Sequence, residues 1–266
     1  MKANRNSRWA GLIGRKPISA LLSFLVLFLA QCSSGTVMKP AYGANYFDDQ
    51  FECTTGMVEQ ESNKDYLLKR LAWIAALPEP SENSGIILAG ESTAALFTPD
   101  LLKKHLPEYN ITNRAIPGET TLVFMANLDE LVTKHRPRLI ILAIGGNDLL
   151  GGRCLSTIVK NTEIILDEIH RKLPGTRVLL VSIPPVVSWK VSSIAGHLNL
   201  GFQQLVNRKP FVEYVDLWPY LADEKRPALA PQYQLYYEKK DKVDQVHFNA
   251  EGYAKFAEAL RKHLRN

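Results

Sequence analysis

Leu139-Ile140-Ile141-Leu142-Ala143-Ile144 is an unbroken apolar run of strand length, closed by Gly145-Gly146. A strand that is apolar at every position must be covered on both faces, as in a sheet enclosed between helices. The run has companions. Residues 86–89, 111–116, 178–182 and 212–215 also read as strands. Helical spacing recurs over 66–77, 99–105, 121–135, 156–172 and 197–207, and a last helix spans 250–264. Strand–helix alternation of this kind builds a parallel sheet sandwiched between helices. Ligands in such sheets bind beyond the carboxyl ends of the strands. Polar motifs stand at those ends: Gly90-Glu91-Ser92 after the first strand, Pro117-Gly118-Glu119 after the second and Gly145-Gly146-Asn147-Asp148 after the third. Three separate loops can therefore meet at one rim.

The formal charge of +5 does not describe this body. Lys2, Arg5, Arg8, Arg15 and Lys16 precede position 32 and no acid does, so without residues 1–31 the chain carries 27 basic and 27 acidic residues. No basic patch points to nucleic acid. A basic start followed by 15 uncharged residues, 17–31, reads as an export signal, because a membrane-spanning helix needs ~18 or more. Leu29-Ala30-Gln31-Cys32 resembles a bacterial lipobox in which Cys32 would be lipidated, although Gln31 stands where that pattern has a small residue. An ordinary cleaved signal and an uncleaved anchor are the alternatives. The chain divides into the signal over 1–31, an arm and helix over 32–83, and one domain over 84–266. Cys53 and Cys154 could pair in an oxidising compartment or remain two partly buried thiols. No Cys/His spacing suggests a metal site.

Asp244 and His247 sit three residues apart, just before the last helix. A serine hydroxyl is a poor nucleophile until an imidazole takes its proton, and the imidazole needs a partner to fix its tautomer. Ser92, His247 and Asp244 supply those parts. Asn147, after a tight Gly-Gly turn, can aim an amide at the rim, where an oxyanion needs preorganised donors. Each part also has a plainer reading: Ser92 as a helix cap, Asp244 as a cap or solvating group of the charged loop 238–242, and 145–148 as a turn with a cap. Val186, Val187 and Phe248 favour an apolar acyl group, Trp189 is a candidate groove wall, and Tyr236 and Tyr237 either cap the site or pack. The arm at 37–62 either covers the entrance or lies on the back of the sheet.

Taken in order, Gly90-Glu91-Ser92, Gly118, Gly145-Gly146-Asn147-Asp148 and Asp244-x-x-His247 resemble the blocks of the SGNH (GDSL-like) hydrolase superfamily over residues 84–264. The stretches 135–150 (HRPRLIILAIGGNDLL) and 247–253 (HFNAEGY) resemble its lysophospholipase/arylesterase/thioesterase I branch. The resemblance implies a flavodoxin-like three-layer α/β/α sandwich on five parallel strands. It implies Ser92 as nucleophile, His247 as base and Asp244 as its orienter. The Ser92 N–H, Gly118 and Asn147 would be the oxyanion donors, with no metal or organic cofactor. The expected activity is hydrolysis of small-molecule or lipid esters, of arylesterase or lysophospholipase type. The alternatives are a carbohydrate O-acetyl esterase and a non-catalytic binding protein that keeps the fold. Two residues depart from the pattern. Glu91 replaces the usual Asp, and Phe248 replaces a common Pro, leaving the loop less rigid or walling an acyl pocket.

Overall fold

The computed structural model describes residues 52–79 and 85–264; the expected export signal and the candidate lipidation site Cys32 lie outside them. The chain opens with α1 (Glu59–Ser62) and α2 (Lys64–Ala76). It continues through β1 (Ile86–Gly90), α3 (Ser92–Ala95), α4 (Pro99–His105) and β2 (Ile111–Asn113). Next come α5 (Thr121–Ala126), α6 (Leu128–Leu131), β3 (Leu139–Ala143), α7 (Gly146–Leu150) and α8 (Leu155–Lys172). The second half holds β4 (Arg177–Val181), α9 (Trp189–Val206), β5 (Val212–Val215) and α10 (Trp218–Leu221). A hairpin of β6 (Gln234–Tyr237) and β7 (Lys242–Phe248) precedes α11 (Ala250–Arg261).

The five main strands form one parallel sheet in the order β2-β1-β3-β4-β5. Every residue of β1 and β3 is buried, as their continuous apolar composition requires. Side-chain alternation splits the core in two. Ile87, Ala89, Ile140, Leu142 and Leu180 face one layer, with Phe124, Ile165 and Leu198. Ile86, Leu88, Leu139, Ile141 and Leu179 face the other, with Phe97, Phe256 and Leu260. This is the three-layer sandwich expected from the strand–helix alternation.

Three segments differ from the sequence expectation. The helix over 121–135 is broken at Asn127, whose side chain donates to the Val123 carbonyl at 2.8 Å. Its own N–H is shared between the carbonyls of Val123 and Phe124. Asparagine competes for backbone groups in this way and interrupts helices. Helix α9 begins at Trp189, eight residues before the expected 197. Its first turns hold Val191, Ser192, Ile194 and Gly196, which are poor helix formers. Burial of Val191, Ile194, Ala195 and Leu198 against the sheet decides the outcome. His247 rides on a hairpin strand, not on a loop.

The described part of the arm, from residue 52, packs on residues 152–154 between α7 and α8. Cys53 and Cys154 form a disulfide across 101 residues. Beside it, Thr54 pairs with Arg153 in a single β-bridge. Arg153 and Glu61 are fully buried and form an ion pair at 2.5 Å, and Arg153 also meets Asp148 at 2.8 Å. Closing so long a loop removes much conformational freedom from the unfolded chain. Replacing both cysteines with serine is therefore expected to cost about 2–4 kcal/mol in urea unfolding. An unchanged midpoint would show that the staple adds nothing to stability.

Candidate active site

Gly90 ends β1 with φ +124°, and a Cβ there would sit 1.8 Å from the Ala143 carbonyl oxygen. Only glycine fits this crossing against β3. The chain then turns so that Glu91 N–H donates to that same oxygen at 2.9 Å and α3 starts at Ser92. Ser92 does not cap its helix, because Glu91 holds the N-cap position and no side chain caps α3. The Ser92 hydroxyl instead lies 2.8 Å from His247 Nε2, across 155 residues of sequence.

The hairpin positions His247 and its partner together. His247 Nδ1 lies 3.1 Å from Asp244 Oδ2. The other oxygen, Oδ1, accepts the backbone N–H groups of Val246 and His247, each at 2.8 Å. Tyr237 donates its hydroxyl to Asp244 Oδ2 at 3.0 Å from the facing strand. Burial raises the Asp244 pKa, but the two backbone donors and the imidazole outweigh that and hold the group below the usual aspartate value. Asp244 is thus kept as an anion in line with the imidazole.

Asn147 opens α7 and lines the same cleft as Ser92. Its Nδ2 donates to the Glu119 carbonyl at 2.9 Å, which fixes the amide plane and leaves a second N–H to give. Glu91 grips the turn before it. Its carboxyl accepts Gly146 N–H at 3.0 Å and Asn147 N–H at 2.8 Å. The longer Glu in the place of Asp therefore spans from the nucleophile loop to the amide loop. Gly118 holds φ +75° in the loop after β2, a conformation that favours glycine.

The cleft beside Ser92 is apolar. Leu149 and Leu150 of α7, Ile183, Pro184 and Val186 after β4, Val191 and Ala195 of α9, and Val246 form its walls. Trp189 and Phe248 do not. Trp189 heads α9 and is 52% exposed. Phe248 is 2% exposed and packs on Tyr253 in the opposite core layer. Because His247 faces the site, strand alternation turns Phe248 away from it. The expectation of a pocket wall at Phe248 is corrected on that ground. Among the described residues no cluster of His, Cys, Asp or Glu could hold a metal ion.

Three buried carboxyls surround this centre. Burial raises Glu91 to about 8, against the hydrogen bonds from Asn147 and Gly146. Burial raises Glu119 to about 7 despite Arg70, and Asp148 to about 6 despite Thr121 and Arg153. Each holds its proton more tightly folded than unfolded. The stability they contribute is full below the unfolded values and is lost as pH rises through the folded ones. Thermal melts are therefore expected to fall in midpoint between about pH 4 and about pH 8, and Glu91→Gln should flatten the upper part. A midpoint that rises across this window would contradict the assignment.

The sequence profile described as GDSL-like Lipase/Acylhydrolase family matches residues 82–255. The chain belongs to the GDSL-like lipase/acylhydrolase family. Among curated relatives, an arylesterase of Vibrio mimicus is 23% identical over 151 residues, 57% of this chain and 66% of that protein. Esterase TesA of Pseudomonas aeruginosa is 26% identical over 132 residues, 45% of this chain and 65% of that protein. The chain thus spans just under two thirds of either relative. A crystal structure of a GDSL-like lipase from Bacteroides thetaiotaomicron shares the fold with a TM-score of 0.58 and 21% identity. It covers 74% of this GDSL-like chain and 96% of its own.

Sequence reasoning missed Tyr237 as the donor to Asp244 and Glu91 as a clamp. Tyr237 had a usable signal, since it lies opposite Lys242 in a hairpin whose turn is the charged stretch 238–241.

Proposed function

We propose that this protein is a serine esterase that cleaves carboxylic esters with an apolar acyl group through an acyl-enzyme. The observation that carries the reading is the 2.8 Å approach of Ser92 Oγ to His247 Nε2, with Nδ1 of the same ring on Asp244. Ser92 Oγ attacks the ester carbonyl as His247 Nε2 takes its proton. The negative charge on the carbonyl oxygen falls to the Ser92 and Gly118 N–H groups and the Asn147 amide. His247 then gives its proton to the departing alcohol, leaving the acyl group on Ser92. Water, deprotonated by His247, attacks the acyl carbon, and the acid leaves as the proton returns to Ser92. Asp244 orients the ring and stabilises its protonated form.

The apolar cleft supports esters of an apolar acyl group, cleaved as in the arylesterase or lysophospholipase type. The disulfide and the signal-like start support a site of action outside the reducing cytoplasm. Two measurements test the reading. A serine-directed organophosphonate should label the protein once, at Ser92. A panel of nitrophenyl esters of rising chain length, beside a lysophospholipid and an acetylated sugar, should favour the apolar acyl esters. Preference for the acetylated sugar would select a carbohydrate O-acetyl esterase. Absence of labelling would favour a binding protein.

A further inference from the structure

Helix α2 lies upstream of the stretch matched by the family, 82–255, yet it faces the active-site loop with polar groups. Its inward residues include Tyr66 and Arg70, while Leu68, Leu71 and Trp73 are left exposed. Ile74 is buried in the core and Leu77 packs against it, so the inward face carries polar as well as apolar groups. The inward pair engages the loop after β2. Arg70 donates to the Pro117 carbonyl and pairs with the Glu119 carboxylate, with side chains only 7% and 0% exposed. Tyr66 donates its hydroxyl to the Gly118 carbonyl at 2.6 Å. The next carbonyl, that of Glu119, accepts the Asn147 amide at 2.9 Å. Three successive carbonyls are therefore each held by a side chain.

Peptide geometry turns that grip into a catalytic consequence. In a trans peptide the C=O and the following N–H point in opposite directions in one plane. Holding the Pro117 carbonyl toward Arg70 aims the Gly118 N–H away from α2. Holding the Gly118 carbonyl toward Tyr66 fixes the other side of the same residue, whose φ of +75° leaves few other restraints. The Glu119 carbonyl passes the same alignment to Asn147. We propose that Tyr66 and Arg70 are positioning residues of the oxyanion hole, so that the catalytic centre includes an N-terminal helix outside the family's matched core. This rests on the esterase reading above.

The test uses the full chain and a nitrophenyl ester, with kcat, KM, the rate of organophosphonate labelling and the thermal midpoint read together. Tyr66→Phe removes one hydroxyl and keeps the ring. It should lower kcat by about 10-fold, a fraction of the ~10²–10³ attached to a whole oxyanion donor, with KM within about twofold. Arg70→Gln should lose more, and Arg70→Lys, which can still donate to Pro117, should recover part of the loss. In the Asn147→Ala background the Tyr66→Phe loss should shrink, because groups acting as a unit are not additive. Parental kcat in Tyr66→Phe, or a loss confined to KM, overturns the proposal even if Arg70→Gln fails to fold. A parent protein that neither hydrolyses esters nor takes the label would instead overturn the esterase reading itself.

Discussion

Ser92→Ala is expected to fold with the parental melting curve and to lose ester turnover by a factor on the order of 10⁴ or more. The size follows from the reaction, since without the hydroxyl no acyl-enzyme can form. The oxyanion donors and the cleft would then support only slow attack by water. The retained stability follows from the structure. The Ser92 hydroxyl meets His247 and does not cap α3. Its removal therefore leaves no helix end bare, as loss of a true capping serine would, at ~1 kcal/mol. Circular dichroism melts beside nitrophenyl ester assays make the comparison. Undiminished turnover in a folded variant would remove Ser92 from the mechanism.

Asn147→Ala should lower kcat by about 10²–10³ with KM little changed. A donor aimed at the developing oxyanion acts in the transition state more than in the bound ester, so the loss belongs in kcat. The amide is well placed for that role because it need not reorganise. Glu119 holds its Nδ2 from one side, and Glu91 holds its backbone N–H from the other. Organophosphonate labelling of Ser92 should slow in parallel, since it passes through a similar charge distribution. A loss below about tenfold, far short of what one donor is worth, would take Asn147 out of the hole.

The sheet was legible because its strands carry a signal of their own. Residues 86–89, 139–144 and 178–181 are apolar without interruption, and all three runs contribute strands to the covered parallel sheet. Breaks and starts were harder to read. Asn127 splits a stretch whose apolar spacing continues through it, and the first turns of α9 have weak helix formers that packing overrides. At the candidate site, the convergence of Ser92, His247, Asp244 and Asn147 on one cleft was legible because short motifs mark them. Gly118 was marked only by its position in an ordered set of motifs. Phe248 could have been placed from strand alternation beside His247, had 242–248 been read as a strand. Tyr66 and Arg70 left no local trace. Their partners lie 47 to 52 residues away, and an inward-facing arginine on a helix reads as an exposed one.

The buried pairing of Arg70 with Glu119, and of Glu61 with Arg153, bears on what can fold independently. A fragment begun at residue 82 would strand Glu119, deprive Arg153 of a partner and leave Cys154 single. Orphaning one buried ion costs ~3–5 kcal/mol, and whole domains have only about 5–15 kcal/mol in reserve. The recognisable family segment is thus expected to be less stable alone than with residues 52–81 attached. A graft of that segment onto a foreign leader should gain stability when the preceding thirty or so residues go with it.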